Sequence, residues 1–75
     1  MMEELLAVLK DVRPDIDFTH ERQLLDSAML NSFDVITIIN ELNHLYDIEI
    51  GVDDITPENF NSPQAMWELI GRLKN

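Results

Sequence analysis

The chain contains no cysteine. Disulfides and thiolate zinc sites are excluded, and any thiol chemistry must come from outside the polypeptide. It also lacks a long hydrophobic run. The longest uninterrupted apolar stretch is residues 5–9, far short of the ~20 residues that a membrane span needs. The Met-Met-Glu-Glu start has the wrong charge for a signal peptide, so the sequence predicts a cytoplasmic protein with no export signal. Basic residues are scarce: of five, Lys10, Arg13 and Arg22 come early and Arg72 and Lys74 at the end, leaving residues 23–71 with no Lys or Arg. With a net charge of −10, the chain has no basic footprint for phosphate backbones, which argues against a nucleic-acid partner.

What is present is one small domain, residues 1–75. Apolar residues make up 45% of the chain, too many for intrinsic disorder. A chain this short buries only about 60% of its unfolded surface, so the core is expected to be thin. Nine acids fall in the stretch without Lys or Arg: Asp26, Asp34, Glu41, Asp47, Glu49, Asp53, Asp54, Glu58 and Glu68. Such a surface keeps a protein soluble, and it also steers encounters with basic patches on partner proteins.

Hydrophobic spacing predicts an all-α fold of three longer helices and one short one, with a long loop between the first two. Leu5, Val8, Leu9 and Val12 form one helical stripe over residues 2–12. Glu3 and Glu4 at its start and Lys10 and Arg13 at its end suit the helix dipole, and Pro14 closes the element. Residues 14–31 read as a connection pinned by Ile16, Phe18, Leu24, Leu25 and Leu30. A loop of this length in a compact domain is usually functional. Phe33-Asp34-Val35-Ile36-Thr37-Ile38-Ile39 is rich in β-branched residues and suits a strand on propensity. The apolar period, however, continues through Leu42, Leu45 and Tyr46 with no turn signal, and a run that long predicts a helix. Residues 47–50 read as an extended link to Gly51. Thr56-Pro57 and Ser62-Pro63 each give a cap followed by proline in the first helical turn. They predict a short helical turn ending at Phe60 and a last helix to about Lys74, with Met66, Leu69, Ile70 and Leu73 facing inward and Trp67 to one side.

The chemistry-bearing candidates are few. Ser32 stands at the mouth of the second helix, where a serine is first of all a helix cap. The same position offers free backbone N–H groups and the positive dipole end, which favour an attached phosphate. A serine hydrolase would need a base and an acid in mutual reach. Only His20 and His44 are available as bases, both read as surface residues, and no Gly-x-Ser-x-Gly elbow occurs. A calcium loop with Gly51 at its sixth position would place Tyr46 where a carboxylate is required. Met29 and Met66 read as core filler, and no metal site is expected.

Leu30-Asn31-Ser32-Phe33-Asp34 resembles the Asp-Ser-Leu type motif of the acyl carrier protein family, particularly its Leu-Asp-Ser-Phe-Asp variant. The likeness continues through Glu41-Leu42, Tyr46-Asp47-Ile48-Glu49-Ile50 and Thr56-Pro57-Glu58-Asn59-Phe60-Asn61-Ser62, covering nearly the whole chain in order. It implies a four-helix bundle whose Ser32 is modified with 4′-phosphopantetheine by a phosphopantetheinyl transferase. Acyl intermediates of fatty acid or polyketide biosynthesis would then be held as thioesters on the arm and presented to enzymes with basic docking patches. Such a protein is a monomeric carrier and not an enzyme. An aminoacyl (for example D-alanyl) carrier and an unmodified acidic interaction domain are the alternatives. Asn31 departs from the family's Asp, keeping the cap chemistry but removing a charge beside Ser32. Asp26-Ser27-Ala28 imitates the motif in the wrong register relative to Tyr46, and Ser62 reads only as a cap. Partner contact is expected from Asn31, Phe33, Asp34, Ile36 and Glu41, with Phe33 and Ile36 as an apolar anchor rimmed by the two acids.

Overall fold

The computed structural model describes residues 2–19, 22–25, 27 and 29–74. His20, Asp26 and Ala28 lie outside the described residues. Four α-helices follow in order: α1 (Glu3–Val12), α2 (Ser32–Tyr46), α3 (Pro57–Phe60) and α4 (Pro63–Lys74), with a 3-10 turn at Val52–Asp54. Among the described residues there is no strand. Nor, among those residues, is any helix long and apolar enough to cross a membrane.

Each helix forms where its apolar period can be buried. Leu5 and Leu9 of α1 and Val35, Ile38, Ile39 and Leu42 of α2 are buried, as are Met66, Leu69 and Ile70 of α4. Phe60 closes the core from α3. The β-branched run of α2 is helical because burying these side chains in a bundle outweighs a modest propensity penalty. α1 packs on α2 and α4, and α3 packs on α4. The Glu4 carboxylate acts on Tyr46 at one end and Arg13 meets Asp34 at the other, so α1 and α2 run antiparallel.

Among the described residues of the connection from residue 14 to 31 there is no helix. Phe18, Leu24 and Leu30 are buried, and Ile16 and Leu25 pack against the core. Asn61 ties the loop down: its carbonyl accepts the Leu24 N–H at 2.9 Å and its Oδ1 accepts the Leu25 N–H at 3.0 Å. Met29 departs from the core role expected of it and lies exposed, because the chain turns there to bring Leu30 inward.

The helix ends follow their caps in two cases of three. Ser62 accepts the Ala65 N–H at 3.1 Å and starts α4. Thr56 occupies the N-cap position of α3 with no side-chain cap bond. At α2 the N-cap is Asn31, and Ser32 is the first helical residue, one place on from the cap role. α2 ends at Asp47 in the left-handed region (φ 54°). The Asn43 carbonyl accepts the Asp47 and Ile48 N–H groups, and the Asn43 side chain accepts the Ile50 N–H at 2.9 Å.

Candidate functional site at the start of α2

Asn31 has extended backbone (φ −90°, ψ 176°), and its Oδ1 accepts the Asp34 N–H at 2.8 Å. Its carbonyl accepts the Val35 N–H at 3.0 Å. The Asp34 carboxylate returns the bond, accepting the Asn31 N–H at 3.4 Å. This reciprocal pair is a capping box with Asn and Asp in place of the commoner Ser/Thr and Glu. With Asp34 and Val35 satisfied, the Ser32 and Phe33 N–H groups remain as the first-turn donors without acceptors among the described residues.

The three serines have different environments. Ser27 donates to the Gln23 carbonyl at 2.5 Å. Ser62 is buried and caps α4. Ser32 is exposed, and among the described residues no hydrogen bond engages its hydroxyl. Thus no described histidine or carboxylate is bonded to it. His44 is exposed near the far end of α2. Among the described residues no cluster of His, Asp and Glu could hold a metal ion.

Beside Ser32 opens a groove of about 390 Å³, lined by Leu25, Leu30, Asn31, Ser32, Val35, Ile36 and Ile55. Among the described residues no charged side chain lines it. The outer face of α2 carries Phe33, Ile36, Asn40, Glu41 and His44 in the open. Phe33 is 77% exposed and Ile36 55%, so neither closes the core.

Asp34 corrects the expected picture. It is only 8% exposed and does not rim the apolar pair. Arg13 Nη1 donates to its Oδ2 at 2.6 Å, and the same nitrogen donates to the Met29 carbonyl at 2.8 Å. Arg13 Nε and Nη2 bind the two oxygens of Asp15 at 3.0 and 2.8 Å. Asp15, and after it Asp34, raise the Arg13 pKa above its ordinary value, and Arg13 lowers that of Asp15. The role of Arg13 was missed from sequence, where it reads as a charge closing α1. The Asn31-x-x-Asp34 spacing was the one local signal that Asp34 turns back to its own helix end.

At the far end of α2, Tyr46 meets Trp67 edge to face, with ring centroids 6.0 Å apart. Lys74 Nζ lies 5.7 Å from the Tyr46 ring centroid. The Tyr46 hydroxyl is buried with no hydrogen-bond partner among the described residues. Burial first, and the Glu4 carboxylate second, raise its pKa.

No family model, no curated protein and no solved structure matches this chain.

Proposed function

We propose that this protein is an acyl carrier, with Ser32 as the attachment point of a 4′-phosphopantetheine arm. The observation that carries the reading is the Ser32 hydroxyl: exposed, unengaged, and set at a helix start beside two free N–H donors. A phosphodiester on that oxygen would meet those donors and the positive end of the α2 dipole. The residues therefore fit the group. When bound, the arm supplies the thiol that a cysteine-free chain lacks, on which acyl groups are held as thioesters.

The chain's own contribution is presentation. Asn31 fixes the first turn of α2 so that Ser32 faces outward. The described residues that line the groove beside Ser32 are mostly apolar, with no charged side chain among them, which favours an apolar acyl cargo over an aminoacyl one. Phe33 and Ile36 stand within one turn of Ser32, where any enzyme reaching the arm must come close. Glu41 and the net negative charge supply attraction to basic docking patches, which sets on-rate and orientation more than affinity.

Coexpression with a promiscuous phosphopantetheinyl transferase, followed by mass spectrometry, tests the proposal. One phosphopantetheine should be added and localised by fragmentation to Ser32. Ser32→Ala should abolish it and Ser27→Ala should not. Modification that persists in Ser32→Ala would overturn the assignment.

A further inference from the structure

We propose that Arg13 is a positioning residue for Ser32, acting on the modification site through Asp34 and the Met29 carbonyl; the inference rests on the reading of Ser32 given above. Arg13 lies just beyond α1, 19 residues before Ser32 in the chain, and its guanidinium reaches both flanks of that serine. On one side Nη1 holds the carbonyl of Met29, three residues before Ser32; on the other it holds the carboxylate of Asp34, two residues after. Asp15 engages the remaining edge of the fork, so all three guanidinium nitrogens are engaged. A planar, multiply donating fork does this where a lysine ammonium, a single point charge, does not.

The charge distribution makes the arrangement specific. Asp34 is buried, and no Lys or Arg occurs in residues 23–71 to neutralise it. Its neutralising charge comes from outside α2, and with it comes the fixed path of the loop's last residues. Asp34 in turn accepts the Asn31 N–H while Asn31 accepts the Asp34 N–H. The residues on either side of Ser32 are thus fixed, and Ser32 itself is left free to react.

In the transfer, a bond forms between Ser32 Oγ and a phosphorus of coenzyme A as the pyrophosphate P–O bond breaks. Adenosine bisphosphate leaves with the bonding pair, and the hydroxyl proton passes to a base of the transferase. A displaced nucleophile lowers the rate of that step, since misplacement by about 1 Å costs up to ~100-fold. A protein that is merely less folded offers less competent substrate, which raises the apparent KM and leaves kcat at saturation unchanged.

The experiment follows apo protein, coenzyme A and a promiscuous transferase through steady-state kinetics, for wild type, Arg13→Gln, and Arg13→Gln combined with Asp34→Asn. The double variant removes the buried charge along with its partner, so folding is retained, and Asn at position 34 still offers an acceptor to the Asn31 N–H. Positioning predicts kcat at least about tenfold lower in both variants, with KM for the carrier within about twofold. A raised KM with unchanged kcat, or wild-type kinetics in the double variant, would overturn it. A second arm needs no modification at all: amide exchange at position 34 and at Val35 should quicken about tenfold in both variants. If wild type accepts no phosphopantetheine, the carrier reading fails, and exchange alone decides for Arg13. Unchanged exchange at both amides would then overturn the positioning role.

Discussion

Asn31 and Asp34 satisfy each other's backbone N–H groups, and the pair sets where α2 begins. Asn31→Ala should therefore destabilise the protein by about 1 kcal/mol, the usual cost of losing an N-cap. Asn31→Asp should be nearly neutral in urea melts, because the two residues rank together at that position. It should also raise the rate of phosphopantetheine addition by a standard transferase, since it restores an acid next to Ser32. Equal initial rates for the two proteins would show that this charge is irrelevant to recognition.

Phe33→Ala separates stability from docking. A buried aromatic truncated to alanine costs about 3–5 kcal/mol, but Phe33 is largely in solvent. The variant should stay within about 0.5 kcal/mol of wild type and still slow acyl transfer to or from a partner enzyme. Unchanged transfer kinetics in a stable variant would remove Phe33 from the docking surface.

Tyr46 is the sole tyrosine, so its phenolate absorbance titrates a single group. The midpoint should lie above the ordinary phenol value of about 10. The sign follows from linkage. Between the unfolded and the raised folded pKa, the native state binds more protons than the unfolded one. Stability is therefore intact below about pH 10 and falls as pH rises above it. Tyr46→Phe should lose this component, and by removing an unsatisfied buried hydroxyl it should be neutral or stabilising by about 1 kcal/mol at neutral pH. A clear fall in the thermal midpoint of Tyr46→Phe would mean that the hydroxyl has a partner in solution.

Asp47→Gly should raise the thermal midpoint. Asp47 adopts φ 54° at the end of α2, a region where glycine carries no Cβ penalty. Its carboxylate also stands at the negative end of the helix dipole. Relieving both should outweigh the added freedom of the unfolded chain by about 0.5 kcal/mol. Differential scanning calorimetry would detect the shift, and a lower midpoint would contradict it.

Moderate sodium chloride should stabilise the protein. Net charge −10 implies self-repulsion, which salt screens over a Debye length of ~10 Å at 0.1 M. A midpoint that falls steadily up to that concentration would mean that attractive pairs, such as those of Arg13, dominate.

Much of this architecture is legible in the sequence because it depends on local chemistry. The stripes of α1 and α4 and the prolines that start α3 and α4 follow from spacing alone, whereas Phe33 sits at the edge of the α2 stripe, where spacing fits either side and the fold turns it outward. α2 required length and period to overrule β-branched propensity at Val35, Ile36, Ile38 and Ile39. The turn at Val52–Asp54 carries no periodicity in three residues and left no signal. Asp34 was misread because its partner is 21 residues away in sequence. A carboxylate beside exposed apolar residues looks like a rim until the tertiary path brings Arg13 to it. At the candidate site, the serine and its neighbours were local information, and the group that holds them was not.

Trp67, the only tryptophan, rests half-buried against Tyr46 at the end of α2 opposite Ser32. Its emission therefore reports packing of α4 on that distal end, away from the serine. A label or cargo placed on Ser32 occupies the other end of a fifteen-residue helix, so the two can be followed as separate optical channels in one chain without substitutions. A change in tryptophan emission on loading would then register strain transmitted along α2 rather than direct contact with the arm.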